Sequence, residues 1–337
     1  MVKKLLPAFL IGILAASLGS AQAGEAVFSK DGNTIFLVPL FEEGKLHVLD
    51  LAKQEHKTVS LGGALEGKSI SAVVTANSGG VLLAAEQALW QWQPGDKEPK
   101  KLADFPAGYQ VRDLSVVKGK QAEEAERIFA MAEQEDVSTL LVQLPGERLF
   151  RKIFSRRCEP GSAPQADAQG RLFLAADSDV WEACLDDSQE DGSEPSEVAG
   201  FLSGCRIAPL AMMNTDATNG GSMAVQRVVP AGEQLIALCG GRHRGGIVLF
   251  APPVKALYGD GSEDEHPDLA AQIGVMKRCL ENAKVLHEGD PCDALCAHAG
   301  AGGGVRVFWR QGLQGEQTWM LMEGGTAPRP IGKERPR

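Results

Sequence analysis

One phrase recurs along this chain and constrains its fold more than any other feature: a glycine-containing turn, a short apolar strand, a polar turn and a second apolar strand. Its copies begin at residues 32, 79, 126, 170, 232 and 303. The first four starts are separated by 47, 47 and 44 residues, close to the period of about 40–50 residues expected for propeller blades. The two longer intervals that follow imply insertions. The sequence therefore predicts an all-β protein, a β-propeller of six or seven blades.

Further strand candidates flank these copies. In the second copy, SAVVTAN (71–77) precedes the repeated phrase and KKLADF (100–105) follows it. Four short strands per repeat is the organisation of a propeller blade. The abundant glycine, 39 residues, suits tight turns that need positive φ. We expect a single propeller domain over residues 24–332.

The first repeat, FSKDGNTIFLVPLFEEGKLHVLDLAKQEHKTVSLGG (28–63), resembles the YVTN-type β-propeller repeat. The shared features are the DGNTIFLV strand after a DG turn, the VLDL strand, and a polar turn that leads to TVSLGG. The other copies match this repeat only in outline. The resemblance implies a propeller and no particular activity, because a fold does not fix a function.

Two insertions follow the fourth copy. In the fifth repeat, apolar residues fall at i, i+4, i+7 and i+11, namely Leu269, Ile273, Met276 and Leu280. That spacing forms one apolar stripe, so we predict a short helical insertion over about residues 252–283. The other insertion, residues 206–221, is either a loop or a degenerate seventh blade.

The N-terminus has the three-part organisation of a secretory signal peptide. It opens with Lys3 and Lys4, continues through an apolar stretch and closes on the small-residue pattern Ala21-Gln22-Ala23. We predict cleavage of residues 1–23 before Gly24. No cysteine stands at the cut, which argues against a lipid anchor, so the expected location is the periplasm or the cell exterior.

The charge of the chain argues against a nucleic-acid partner. The formal net charge of −10 becomes −12 once Lys3 and Lys4 leave with the signal peptide. Such a surface repels a phosphate backbone. The short basic end, residues 333–337, is predicted to be a disordered tail. No segment of the mature chain is apolar enough to span a bilayer, and a monomer is expected.

Acidic residues recur near the predicted turns between the second and third strands of each blade. These turns and the connections between blades open on the same face, around the central channel. Glu86, Glu133 and Asp177 align in repeats two to four, and convergent carboxylates suit calcium or another divalent cation. The alternative is a turn residue repeated by duplication, with no cation bound. No other cofactor is predicted.

The corresponding turn of the fifth repeat, CGGRHRGG, is the most distinctive segment of the chain. Paired glycines allow a backbone to approach a ligand closely, and Arg242 and Arg244 offer forked donors for a carboxylate, phosphate or sulfate. His243 titrates near neutral pH, and Arg310 ends the matching strand of the sixth repeat. We predict that these four residues bind a ligand; the alternative is a solvated hairpin tip.

All seven cysteines lie between Cys158 and Cys296. In an exported protein this predicts one to three disulfides confined to the C-terminal half. Cys239 lies in an apolar run and is the expected buried free thiol. Cys292 and Cys296 stand too far apart on one strand to pair with each other, so a disulfide from Cys279 to one of them is expected, with zinc binding as the alternative.

Tryptophans occupy one position of the third strand in three repeats: Trp90, Trp181 and Trp319. Repeated aromatic residues at one strand position are typical of packing between blades. The sequence contains no G-x-S-x-G, H-E-x-x-H or phosphate-loop motif. We therefore expect a non-catalytic binding or scaffold module for a protein, peptide or glycan. The alternatives are a lactonase- or hydrolase-like enzyme with a channel cation, and an anion-binding protein that uses the arginine loop.

Overall fold

Six four-stranded antiparallel sheets make up the described part of the chain. The computed structural model describes residues 25–117, 126–135, 137–156, 161–167, 169–176, 179–184, 203–208, 224–240, 245–251, 283–300, 303–312 and 315–335. Each sheet consists of four strands that follow one another in the sequence. The protein is a six-bladed β-propeller, in agreement with the predicted fold class.

Blades 1 to 3 occupy the first half of the chain. Blade 1 contains β1 (Ala26–Phe28), β2 (Thr34–Leu37), β3 (Lys45–Asp50) and β4 (Glu55–Ser60). Blade 2 contains β5 (Ile70–Thr75), β6 (Val81–Ala85), β7 (Ala88–Trp92) and β8 (Lys100–Asp104). Blade 3 contains β9 (Gln110–Val117), β10 (Arg127–Gln134), β11 (Val137–Gln143) and β12 (Arg151–Arg156). A short 3₁₀ helix, Gly63–Leu65, lies between blades 1 and 2.

Blades 4 to 6 complete the ring. Blade 4 contains β13 (Gln165–Ala166), β14 (Leu172–Ala176), β15 (Asp179–Cys184) and β16 (Ser203–Ala208). Blade 5 contains β17 (Ala224–Ala231), β18 (Gln234–Gly240), β19 (Gly245–Phe250) and β20 (Lys284–Gly289). Blade 6 contains β21 (Cys292–Ala299), β22 (Val305–Gln311), β23 (Gln317–Glu323) and β24 (Arg329–Glu334).

The position of each strand in its blade explains its composition. β6 (VLLAA) is buried along its whole length, because both faces pack against neighbouring blades. β4 (EHKTVS) forms the outer edge of blade 1 and is almost entirely exposed. The second strands β2, β6, β10, β14, β18 and β22 fall in the six repeated segments, which confirms the repeat.

The core is divided into six apolar clusters, one between each pair of neighbouring blades. One of them joins blade 6 to blade 1 and contains Phe28, Leu49, Phe308 and Trp319. Trp90 packs on the cluster between blades 1 and 2, and Trp181 on the one between blades 3 and 4. The predicted role of these tryptophans between blades is confirmed.

The structure corrects the predicted chain end and one cysteine assignment. β24 runs through Glu334, whose side chain is buried, so the tail does not begin at residue 333.

Cys239 is a buried free thiol, as predicted. Cys292 and Cys296 are also buried and free, so the disulfide expected from Cys279 to one of them is not present.

Parts of both insertions lie outside the described residues. Residues 206–208 belong to β16, the outer strand of blade 4, and not to a seventh blade. Residues 209–223 and 252–282, where the rest of the loop and the helix were predicted, are not described. Within the described ranges, no helix is long and apolar enough to cross a membrane.

Candidate functional site

One face of the propeller carries both the turns between second and third strands and the connections between blades. This follows from the alternating strand direction: the second strand of a blade ends where its fourth strand ends. Backbone contacts agree, because the N–H of Gly44 in the β2–β3 loop donates to the carbonyl of Lys68 in the next connection, at 2.8 Å. We call this face the rim face.

The strand registers correct the predicted alignment of acids on the rim face. Ala85 pairs with Ala88, so Glu86 lies in the β6–β7 turn, with φ of 52°. In blade 3, Gln134 pairs with Val137, so the residue equivalent to Glu86 is Glu135, with φ of 49°. Glu133 lies inside β10 and does not match Glu86.

Basic side chains already pair with two of the three predicted cation ligands. Glu86 lies 2.8 Å from Lys68, and Glu133 lies 2.9 Å from Arg112. Asp177 lies outside the described residues. Within the described ranges, no group of three or more His, Cys, Asp and Glu side chains is placed to hold a metal ion. Local ion pairs with basic side chains satisfy Glu86 and Glu133.

Arg310 is not on the surface, which corrects its prediction as a ligand-binding residue. Its side chain is 0% exposed and forms ion pairs with Glu25, with Asp293 at 2.6 Å and with Glu334 at 3.5 Å. It also donates to the carbonyl of Val38 at 3.1 Å. We call Arg310 and its three carboxylates the closure cluster, because they join the first residue before β1 to the last residue of β24.

The ionisable groups of the closure cluster differ in the direction in which their pKa values are shifted. Burial lowers the pKa of Arg310 to about 10, opposed by the charge of Glu334, and the guanidinium stays protonated at neutral pH. Burial and the neighbouring Glu334 raise the pKa of Asp293, which favours its neutral form. Burial alone would raise the pKa of Glu334, but the nearby His47 and the charge of Arg310 leave it below its usual value.

A second buried ion pair lies toward the centre of the ring. Arg227 of β17 and Asp113 of β9 come from blades 5 and 3, and their side chains lie 3.3 Å apart. Both are almost fully buried. The backbone N–H groups of Ala163 and Leu114 also donate to Asp113, at 3.0 and 2.9 Å. Burial nevertheless raises the pKa of Asp113, against the effect of Arg227.

The predicted anion-binding loop cannot be placed. Arg242, His243 and Arg244 lie outside the described residues, between the last residue of β18 and the first of β19. Their role in binding stays a prediction from the sequence.

The β2–β3 loop presents two adjacent apolar side chains on the rim face. Leu40 is 39% exposed and Phe41 is 44% exposed. The loop is held where it leaves β2: the carbonyl of Val38 accepts from Arg310, and the N–H of Leu40 donates to Glu334 at 2.7 Å. The closure cluster therefore fixes the loop that exposes these two side chains.

The far end of the loop is held by Gly44. Its φ is 65°, and an added Cβ would lie 2.3 Å from the carbonyl oxygen of Leu65. This close approach brings the loop against the connection between blades 1 and 2, where Lys68 lies. The loop that carries Leu40 and Phe41 therefore contacts the connection that leads into blade 2.

A small cavity opens on this neighbouring surface. Its volume is about 180 Å³, and its walls include Leu65, Lys68, Glu86, Trp90, Lys101 and Asp104. Two ion pairs border it: Lys68 with Glu86 at 2.8 Å and Lys101 with Asp104 at 2.5 Å. The indole N–H of Trp90 is buried without a hydrogen-bond acceptor. We call Leu40, Phe41 and this cavity the rim patch.

Sequence reasoning named two members of the rim patch, Glu86 and Trp90, and missed the apolar pair. The signal was present, because PLFEEG places two large apolar residues in a turn between two strands. Turn residues are usually polar or small. An apolar pair at such a position therefore indicates a contact outside the core.

Several known structures align with this chain at low similarity. The propeller of Dos1 aligns with a TM-score of 0.42 and 9% identity, over 93% of this chain and 70% of that one. YCF48 bound to D1 peptide aligns with a TM-score of 0.41 and 11% identity, over 92% and 82%. The extracellular domain of the putative one component system BT4673 from B. thetaiotaomicron gives 0.37 and 10% over 86% of this chain, which spans 40% of that domain.

No protein-family model matches the chain, and no curated protein matches its sequence. The resemblance of the first repeat to the YVTN type is therefore not extended to family membership. With TM-scores below 0.5, these structural likenesses support no conclusion about this chain.

Proposed function

We propose that the protein is a binding module that recognises a peptide or protein partner at the rim patch. The observation that carries this proposal is the exposure of Leu40 and Phe41 on a loop fixed by the closure cluster at one end and by Gly44 at the other. Two apolar side chains held in water by a rigid loop lose little conformational freedom when a partner covers them. Apolar anchors of this kind dominate the energetics of interfaces.

The adjacent cavity supports a macromolecular partner over a small molecule. Its volume of about 180 Å³ is below the roughly 300–1,000 Å³ of most small-molecule sites. One side chain of a peptide would fill it. The surrounding ion pairs offer both donors and acceptors to the peptide backbone, and the indole N–H of Trp90 would donate to a carbonyl oxygen.

We place this module in the periplasm or outside the cell, on the strength of the predicted signal peptide. The enzyme alternative has weaker support, because Glu86 and Glu133 are paired with Lys68 and Arg112. A cation bound in the channel would have to compete with both lysine and arginine.

The test is selection of peptides from a displayed random library on the immobilised mature protein, followed by affinity measurement on variants. Leu40→Ser combined with Phe41→Ser should weaken binding of the selected peptides at least about tenfold, since burying one such side chain stabilises by about 1.5–3 kcal/mol. The matched control is Leu149→Ser with Val285→Ser, which removes two exposed apolar side chains elsewhere, 66% and 50% exposed. The proposal is wrong if no peptide is enriched, or if both double variants bind equally well.

We also propose, from the sequence, that Arg242, His243 and Arg244 add an anion-binding element to this module. Their replacement by alanine should weaken selected peptides that carry acidic residues and leave neutral peptides unaffected. Equal affinities of the acidic peptides for the parent and the triple variant would remove this element.

A further inference from the structure

Two histidines of blade 1 bring ring nitrogens together at the outer part of the boundary with blade 6. His47 lies on β3 and His56 on β4, with Nδ1 of His47 3.1 Å from Nε2 of His56. In the strand register Thr58 is directly opposite His47, and its hydroxyl oxygen lies 3.1 Å from the same Nδ1. One nitrogen therefore has a second imidazole nitrogen and a hydroxyl oxygen within contact distance.

The surroundings hold both rings in place. Trp319 of blade 6 packs against them, with ring centroids 5.1 Å from His47 and 4.7 Å from His56. His47 is buried, whereas His56 is exposed to solvent. An ion could therefore enter from the outside and keep water in its remaining positions.

Glu334 favours the tautomer of His47 that a metal requires. Its Oε1 lies 3.7 Å from Nε2 of His47, on the side of the ring opposite His56. A carboxylate at this position favours the proton on Nε2 and leaves a lone pair on Nδ1. Metal-binding histidines commonly donate their other ring N–H to a carboxylate; at 3.7 Å the contact here is electrostatic and not a hydrogen bond.

We propose that His47 and His56 bind a transition-metal ion of the zinc, copper or nickel class, with the Thr58 hydroxyl as a third ligand and water completing the shell. Nitrogens 3.1 Å apart can both lie about 2.0–2.1 Å from one ion, the usual length of a bond between zinc and imidazole. Imidazole suits these metals and not calcium. Only two imidazoles contribute, so the site has open positions and moderate affinity.

A bound ion would connect β3 and β4, two neighbouring strands of blade 1, beside Glu334. Because the ion binds only the folded arrangement of these strands, it would also stabilise the folded protein.

The test is equilibrium dialysis of untagged mature protein against Zn²⁺ and Cu²⁺ at neutral pH, with bound metal counted per chain. The variant is His56→Asn, because His56 is exposed and its replacement leaves the core intact. The matched control is His287→Asn, which changes another histidine that contacts a tryptophan, Trp309 at 6.1 Å. We expect His56→Asn to lower the affinity of one site at least about tenfold and His287→Asn to leave it unchanged.

A second readout separates this site from unspecific binding elsewhere. The electron paramagnetic resonance spectrum of one equivalent of Cu²⁺ should report two nitrogen ligands in the parent and fewer in His56→Asn. Circular dichroism confirms that each variant is folded. The proposal is overturned if no ion is retained at equimolar amounts, or if His56→Asn keeps the affinity and copper spectrum of the parent.

Discussion

The backbone N–H of Leu40 donates a hydrogen bond of 2.7 Å to the side chain of Glu334, 294 residues further along the chain. The other carboxylate oxygen of Glu334 faces Arg310 at 3.5 Å. Every sheet in the described residues is built from consecutive strands, so within them blades 1 and 6 exchange no strand to close the ring. Apolar packing and the closure cluster join them instead, and the same contacts hold the proposed binding loop.

Replacing Arg310 tests how much the closure cluster contributes to stability. Arg310→Met should lower the free energy of unfolding by about 3–5 kcal/mol, because it leaves buried carboxylates without their cation. Urea denaturation followed by tryptophan fluorescence measures the change. Arg151→Met is the matched control, since Arg151 pairs with Glu147 at the surface, where such pairs contribute about 0–1 kcal/mol. Equal losses in the two variants would contradict a closing role for Arg310.

Shortening the chain tests the corrected end of the fold. Removal of residues 336 and 337 should leave the melting temperature unchanged, whereas removal of residues 334–337 should lower it by several degrees. The second deletion takes away Glu334, which contacts Leu40, His47 and Arg310, and a hydrogen bond to a charged group contributes about 1.5–3 kcal/mol. Scanning calorimetry measures both. A disordered tail from residue 333 onward would make the two deletions indistinguishable.

Much of the fold could be predicted because each blade repeats the same local pattern. A glycine turn or an apolar strand such as β2 or β6 is specified by a few neighbouring residues, so the pattern is still recognisable in each copy of the repeat. Six blades and not seven could not be predicted, because the intervals after residue 170 mix strands with insertions. The predicted alignment of Glu133 with Glu86 was wrong because β10 is three residues longer than β6. Repeats that are aligned at the starts of these strands are therefore out of register at the turns that follow them.

The environment of Arg310 could not be predicted for a different reason. A lone arginine at the end of a strand is usually exposed. Its burial depends on Glu25, Asp293 and Glu334, and Glu25 and Glu334 lie near opposite ends of the described residues. Nothing in the local sequence indicates that they meet.

The contribution of His56 and His298 to the stability of the protein should fall as the pH decreases from about 7.5 to 5.5. Burial and His47 lower the pKa of His56 in the folded state, while Glu334 and Glu42 oppose this; burial and Arg306 lower the pKa of His298. The unfolded chain then binds protons at these rings more readily than the folded protein, so protonation favours unfolding below the ordinary histidine pKa near 6.5.

The measurement is urea denaturation across this pH range, in the presence of a chelator. His56→Gln should make the free energy of unfolding less dependent on pH, and His56→Gln combined with His298→Gln should reduce this dependence further. If the parent and the double variant show the same slope, these two histidines do not govern the acid sensitivity of the fold.

The buried pair of Asp113 and Arg227 should show strong energetic coupling. Arg227→Met leaves Asp113 buried without its cation, and Asp113→Leu removes the carboxylate that faces Arg227, so each single change should cost about 3–5 kcal/mol. The combination of both changes should cost less than either alone, because apolar side chains then fill the space between blades 3 and 5. A double-mutant cycle from urea denaturation gives the coupling energy.

The sign of this coupling distinguishes a buried ion pair from two independent core positions. Burial raises the pKa of Asp113. The decrease in the free energy of unfolding caused by Arg227→Met should therefore become smaller as the pH falls and the carboxyl group of Asp113 takes up a proton. The decrease caused by Asp113→Leu should not become smaller in this way, because Arg227 keeps its charge. Additive losses that are independent of pH would mean that Asp113 and Arg227 contribute to the ring separately.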